Sequence, residues 1–492
     1  MTANAEKMPW TYWLHLAIGL GFMLVFPMLS PIEPITEVGM AVLGVFIGMV
    51  YLWSTLDSIW PSLMGLMLVA LAGYVPELQG YAAVKKLFME SFGTDTVIVL
   101  ILGMVLFSAL EFVGCTKYMA RFFMSRKVLE GRPYVFLFIF FLCSYVIGGF
   151  TNPMASMLIL WPIAIEVCQN FGYKKGDKIF YTMICGVYLA STLGQPMFPF
   201  KGASLVIVSA FEKVSGLSVN YGSYIAYNVI MSLMLLAAFL LIVKVFIRPD
   251  VSGFKKITVA ELTKDPLPKI NAQQLGFFLI VVVYIVALLL PNFLPKTIPV
   301  IAFLNNINVI GVSAFCIIIM MVIPYKGKPM LDFKAVARKS FSWDIFFLVA
   351  AALYVCNAMT AESTGIKPFL IQTLQPLLGG KPELVFVFLL LAFALITTNF
   401  ANNAGMAVVL IPVVLAFADQ YPGVDSVVIC MSICMMVFVA LLTPAASPYC
   451  GMLHARKDLV EYKEIMQLFL PMVVAALVLY TLVGYQIAKI LF

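Results

Sequence analysis

Charge is scarce in this 492-residue sequence: Asp, Glu, Lys and Arg make up 11% of it, against 63% hydrophobic residues and a mean hydropathy of +1.02. An ordinary soluble domain is about one quarter charged, so this composition excludes a water-soluble globule and implies an integral membrane protein. Histidine is scarcer still, with His15 and His454 far apart in the chain. No His, Cys, Asp and Glu grouping has metal-ligand spacing, so no transition-metal centre is expected. The nine cysteines contain no Cys-x-x-Cys pair, and most, such as Cys143, Cys316 and Cys434, lie inside apolar segments as small packing residues. No Walker-type phosphate loop is present, which excludes a primary ATP-driven pump, and no catalytic cluster points to an enzyme. No small-residue cleavage site follows the first apolar run, at 8–30, so that run is expected to span.

What the chain does contain is long apolar runs, too long and too unalternating for barrel strands. At roughly 20 residues per crossing, there is room for about a dozen helices. The expected spans are 8–30, 34–54, 57–74, 95–113, 180–198, 203–213, 222–247, 272–291, 299–323, 342–358, 426–443 and 465–491, with a short piece near 446–453. Amphipathic stretches are expected at 114–132 and 359–381, and a polar linker at 248–271.

Two of the apolar runs are interrupted. Residues 133–150 and 154–170 flank Thr151-Asn152-Pro153, and residues 382–400 and 404–419 flank Ala401-Asn402-Asn403. Broken helices are tolerated at membrane depth only where protein or a water-filled cavity surrounds the freed backbone groups. The two breaks stand about 250 residues apart, and other matches share that offset: Ser91-Phe92-x-x-Asp95 with Ser340-Phe341-x-x-Asp344, Pro162 with Pro412, and Pro196 with Pro444. The chain therefore reads as an N-terminal transmembrane helix (1–33), a first repeat (34–247) holding the hairpin 133–170, a cytoplasmic linker (248–271) and a second repeat (272–492) holding the hairpin 382–419.

Basic residues orient this arrangement. With both interrupted pairs taken as re-entrant hairpins and the N-terminus in the cytoplasm, 23 of the 31 Lys and Arg fall inside, seven fall outside and Lys201 alone is left within the membrane. That asymmetry satisfies the positive-inside rule. It places the first hairpin open to the cytoplasm, the second open to the outside and the C-terminus outside, so the repeats have inverted topology. The net charge of +7 is thus a topological signal, and no nucleic-acid partner is expected.

Inverted repeats with discontinuous helices near the midplane mark secondary transporters. Helix N-termini at such breaks suit anions, and unwound carbonyls suit cations. Asn152 and Asn403 each offer an acceptor and a donor and serve as anchors for substrate or a sodium ion. Lys201, between Phe200 and Gly202, has three open readings: an attractor for an anionic substrate, a fixed charge in place of a sodium ion, or a side chain that snorkels to the surface. Asp95 and Asp344 fit first-turn positions of helices, while Glu111 and Glu166 are expected at the cytoplasmic interface.

On these motifs the chain resembles the divalent anion/sodium symporter family, the citrate, succinate and sulfate carriers within the ion transporter superfamily. That family carries a Ser-Asn-Thr motif at each hairpin tip and a Thr-Pro-rich break in the helix that follows. Thr151-Asn152-Pro153 stands for the first motif and Asn402-Asn403-Ala404 for the second; Thr443-Pro444 matches the second break, and Gly194 through Gly202 occupies the first. Pro153 and Ala404 stand where the family has Thr. The resemblance implies an all-α fold of about 11 transmembrane helices plus two re-entrant hairpins, a homodimer in the cell inner membrane, and an elevator motion of a transport domain against a scaffold. It further implies a small anionic substrate, most often a di- or tricarboxylate, held by Thr151, Asn152, Pro153, Asn402, Asn403, Ala404, Thr443, Pro444 and Lys201. Sodium would be the coupling ion at Thr151, Asn152, Gly194, Asn402, Asn403 and Thr443. An arsenite carrier or sodium/proton antiporter of the same superfamily is the alternative, with an intramembrane enzyme or a channel further off.

Overall fold

Hydrophobic runs this long leave the backbone no partner but itself, and the computed structural model is accordingly helical almost throughout. It describes residues 9–73, 80–263, 267–295, 297–400, 403–418, 424–444 and 446–492. The helices are α1 (Trp10–Leu20), α2 (Glu37–Thr55), α3 (Ile59–Leu71), α4 (Gly80–Phe92), α5 (Asp95–Phe112), α6 (Cys115–Met124), α7 (Pro133–Phe150), α8 (Pro153–Asn170), α9 (Lys178–Gly194), α10 (Gly202–Ser215) and α11 (Tyr221–Ile242). After the short α12 (Val259–Leu262) come α13 (Ala272–Phe293), α14 (Pro299–Val322), α15 (Phe333–Ser340), α16 (Trp343–Thr360), α17 (Ile366–Leu378), α18 (Glu383–Thr398), α19 (Asn403–Ala418), α20 (Ser426–Met436), α21 (Pro448–Ala455), α22 (Tyr462–Leu479) and α23 (Tyr485–Leu491). The strand pairing among the described residues is one tight turn, Pro324–Tyr325 against Lys328–Pro329. Among the described residues, eight helices are long and apolar enough to cross a membrane, or nine if α15 and α16, bent by 78° at their junction, form one span. Four shorter apolar helices, among them α3, α18 and α20, add to these.

Helix starts follow local side-chain chemistry. Thr94 caps α5 by accepting from Val97 N–H, and Ser342 caps α16 by accepting from Ile345 N–H, which leaves Asp95 and Asp344 in first turns as their positions suggested. A helix unexpected from the sequence is α4, whose residues Lys85, Lys86 and Glu90 hid its narrow buried face of Ala83, Leu87 and Ser91.

The 248–271 segment is docked beneath the first hairpin. Phe254 is fully buried against Phe136, Phe171 and Tyr173, at ring-centroid distances of 5.3, 6.1 and 5.4 Å. Gly253 N–H donates to Tyr173 Oη at 2.8 Å, and Val259 N–H donates to Glu130 Oε1 at 2.9 Å.

Two helices form the centre. From Ile179 to Gly194 every residue of α9 is buried, and burial is equally continuous from Val428 to Leu441, along α20 and beyond its end. Such all-round burial means protein on every side. Each helix runs directly into a break: α9 into residues 195–201, and α20 into residues 437–447. Tyr188 Oη of α9 donates to Ala440 O of the second break at 2.6 Å, tying the two centres together.

Candidate functional site

The first hairpin is α7 and α8, turning at Thr151-Asn152. Its arms are fastened by small polar side chains: Ser144 and Ser156 hydroxyls lie 2.9 Å apart, and Ser144 Oγ donates to Val187 O of α9 at 2.7 Å. At the tip, Thr151 Oγ1 donates back to Ile147 O at 2.6 Å, and Asn152 Oδ1 accepts from Ala155 N–H at 2.9 Å, capping α8. The Oδ1 contact settles which end of the amide faces outward: Asn152 Nδ2 donates to Glu111 Oε2 of α5 at 3.0 Å. Glu111 is therefore a half-buried partner of the hairpin tip, and Glu166 is exposed.

Lys201 meets the same tip from the break after α9. Its ammonium donates to Gly149 O at 2.6 Å and to Thr151 O, and it lies 4.8 Å from the centroid of the Phe107 ring. The snorkelling reading of Lys201 is thereby overturned, because the side chain turns onto the tip of the first hairpin. The carbonyls it binds are those left free where α7 ends, the set that an unwound hairpin would offer to a cation. An ammonium has three donors, so one N–H remains for a ligand.

These groups line a cavity of about 600 Å³. Thr151, Asn152 and Pro153 border it from the first hairpin, Lys201 and Gly202 from the first break, and Pro444 and Ser447 from the second. The cavity faces several helix starts: the first residues of α8 (Pro153, Met154), α10 (Gly202, Ala203) and α21 (Pro448, Tyr449) all line it. Free N–H groups and the positive ends of helix dipoles suit an anion there. Lys201 and Asp344 are the charged residues among its lining.

The second hairpin, α18 and α19, is organised around a residue that motif matching passed over. Asn399 is 1% exposed, and its carboxamide makes four hydrogen bonds. Oδ1 accepts from Leu441 and Leu442 N–H at 2.9 and 2.8 Å, and Nδ2 donates to Leu395 O at 2.7 Å and Val439 O at 3.3 Å. Thr443 Oγ1 donates to Asn399 O, and Thr398 Oγ1 donates to Val437 O at 2.6 Å. Asn403 lies at the start of α19, buried, with its carboxamide 3.0 Å from Thr398 Oγ1, whose single hydrogen goes to Val437 O. Neither Asn403 nor Thr443 is among the lining of the central cavity; Asn403 joins the two arms of the second hairpin, and Thr443 holds that hairpin to the second break. Asn402 and the side chain of Ala404 lie outside the described residues. A signal for Asn399 was present in the sequence, because Thr398-Asn399 repeats the dipeptide Thr151-Asn152.

Gly194, a candidate ion ligand, also allows close packing. A Cβ built on it would collide with the Tyr145 carbonyl of α7, and one on Gly148 would collide with the Ser191 backbone of α9. Hairpin and central helix approach through these two glycines. Gly194→Val is expected to prevent accumulation of folded protein, because the obstructing atoms are backbone and cannot move aside. Size-exclusion profiles of detergent-extracted protein check this, and a monodisperse Gly194→Val peak at normal yield would contradict it.

Discontinuous helices around a central cavity, with eight membrane-length apolar helices among the described residues, fit a polytopic membrane transporter. Similarity to known proteins agrees. The profile of the sodium:sulfate symporter transmembrane region matches residues 6–492, and the chain belongs to that family, the divalent anion/sodium symporters. An uncharacterized transporter of Methanocaldococcus jannaschii is 22% identical over 312 residues, covering 63% of this chain. That match spans 65% of the relative's length, just under two thirds. The crystal structure of the Alcanivorax borkumensis YdaH transporter resembles this fold with a TM-score of 0.55 at 13% identity, over 83% of this chain and 89% of that one.

Proposed function

We propose that this protein is an anion exchanger of the elevator type, in which a transport domain carrying both hairpins and both breaks moves against a scaffold. The substrate is a small di- or tricarboxylate bound in the central cavity by Asn152, the free N–H of Lys201 and the N-termini of α8 and α10. The two halves of the chain act as inverted repeats, the cavity as its cytoplasm-facing access, and two copies as a dimer in the cell membrane. The observation that carries this reading is the Lys201 ammonium seated on Gly149 O and Thr151 O.

That seat is where a coupling cation would be held, and a tethered ammonium cannot dissociate from it. The groups that would complete a second cation site are likewise engaged, since Val437 O, Val439 O and Asn399 O accept from Thr398, Asn399 and Thr443. Moving the empty transport domain would carry the Lys201 ammonium through the bilayer without a substrate anion beside it, which is costly. A carrier built this way crosses loaded in both directions.

Uptake of labelled succinate, citrate and sulfate into proteoliposomes tests this. Succinate or citrate is expected to enter vesicles preloaded with the same anion, and the rate is expected to be the same with and without a sodium gradient. Uptake at least tenfold faster with inward sodium, into vesicles lacking internal anion, would show symport and refute exchange. If none of the three anions moves, the carboxylate assignment fails.

A further inference from the structure

Where α14 ends, the chain makes a tight turn that carries positive charge. Tyr325 pairs with Lys328 across it, and Lys326 and Gly327, at φ 49° and 77°, fill its two corners. Left-handed φ at both corners is the geometry of a two-residue hairpin, so Lys326 and Lys328 are held in fixed places. Lys334 joins them from the first turn of α15. All three lysines are exposed, and none forms an ion pair among the described residues. Asp332, the acidic residue beside them, accepts from Ala335 N–H at Oδ1 as the cap of α15.

These lysines border a second cavity, of about 640 Å³, which is also lined by Phe112 from the end of α5, Phe277 from α13 and Met321 from α14. Phe277 is fully buried, whereas Phe112 and Met321 are exposed, as are the neighbouring Val322 and Ile323. The cavity thus joins a lysine rim to the apolar surface of three membrane-length helices. Helix α15 sets its depth. It turns by 78° from α16, buries Val336 and exposes Lys334, Arg338 and Lys339, the pattern of an amphipathic helix lying along a membrane surface. The lysines then stand at the level of lipid headgroups and the apolar walls at the level of acyl chains. An excess of Lys and Arg beside a span is ordinary on one side of a membrane, but that bias does not require lysines to gather around a groove with apolar walls.

We infer that this cavity binds an anionic phospholipid, with its phosphate among Lys326, Lys328 and Lys334 and an acyl chain against Phe112 and Met321. Charge complementarity selects the occupant. A free phosphate would satisfy the lysines and leave the apolar walls wet, while a neutral lipid would cover the walls and leave three cations without a counter-charge. An amphiphile with a negative head answers both needs. The lipid binds where α5, α13, α14 and α15 pack together, and α5 carries Phe107 and Ser108 to the central cavity. It therefore steadies one wall of that cavity without touching its contents, and the inference holds whatever the central cavity carries.

Native mass spectrometry of the purified full-length protein, titrated with phosphatidylglycerol or with phosphatidylcholine of the same acyl chains, tests this. The wild-type protein is expected to hold one phosphatidylglycerol at a concentration about tenfold or more below that needed for phosphatidylcholine. Equal binding of the two lipids would overturn the inference without recourse to any variant. In the triple variant Lys326→Gln/Lys328→Gln/Lys334→Gln, phosphatidylglycerol binding is expected to weaken on the order of a hundredfold, since each lysine near a membrane surface contributes about fivefold. A second triple variant, Lys127→Gln/Lys255→Gln/Lys256→Gln, removes three other exposed lysines and is expected to bind as the wild type does. Equal weakening in both variants would show diffuse attraction without a site and would overturn the inference. Thermal unfolding in detergent gives an independent readout: phosphatidylglycerol is expected to raise the wild-type midpoint, and inorganic phosphate is not. If phosphate raises it as much, the cavity takes an anion without a lipid tail and the inference fails.

Discussion

Lys201→Ala is expected to lower succinate exchange in proteoliposomes by about a hundredfold or more. Deleting one partner of a buried charged interaction costs about 3–5 kcal/mol, and each 1.4 kcal/mol is about a factor of ten. Two effects combine at this position. The substrate loses its fixed positive charge, and Gly149 O and Thr151 O lose the donor that holds the hairpin tip in shape. The variant also leaves two carbonyls facing a vacated space large enough for a cation. Sodium, which is expected to leave the wild-type rate unchanged, is therefore expected to stimulate what remains in Lys201→Ala. Lys201→Arg keeps the charge, but a planar guanidinium cannot repeat a compact ammonium on two carbonyls, and it is expected to recover only a fraction of the rate. Exchange by Lys201→Ala at the wild-type rate, with the same indifference to sodium, would remove both the substrate and the surrogate-cation roles of this residue.

Asn399→Leu is expected to destabilise the folded protein strongly while leaving it able to accumulate. Leucine fills a similar volume and makes none of the four hydrogen bonds, so the N–H groups of Leu441 and Leu442 and the carbonyls of Leu395 and Val439 lose their partner in a buried place. Each buried group left unsatisfied costs about 1–3 kcal/mol, and the two N–H groups alone bring the loss to about 2–6 kcal/mol. A depressed thermal unfolding midpoint in detergent and loss of exchange are expected together, because these bonds join the second hairpin to the second break. A variant with the wild-type midpoint and no exchange would place Asn399 in substrate handling instead of in the framework.

The contrast between Asn399 and Asn152 shows how far the sequence could be read. The first hairpin was legible because its break is abrupt: Gly148-Gly149, a polar pair and Pro153 interrupt an apolar run within six residues, and the structure turns the chain there. The tip of the second hairpin holds three asparagines in sequence, at 399, 402 and 403, within five residues, and composition ranks none of them. Which one locks the hairpin depends on where Leu441 and Leu442 lie, more than 40 residues further on. Glu111 is a related case. Hydropathy places a glutamate near the end of an apolar helix, but only the approach of the hairpin tip to that end of α5 gives it Asn152 as a partner.

By itself the sequence determined that this chain lives in a bilayer, where its helices are interrupted, and which hydroxyl and amide side chains cap them. These are consequences of near neighbours: apolar runs exclude water, proline and glycine end helices, and a cap reaches no further than three residues. Only the tertiary structure decided what the interruptions are for. Lys201 finds carbonyls about 50 residues back, Asn152 finds Glu111 about 40 residues back, and Asn399 closes the second break. Hydrogen-bond partners at such separations are chosen by how helices cross, and that crossing is set by packing along whole helix faces, such as the glycine-lined approach of α7 to α9.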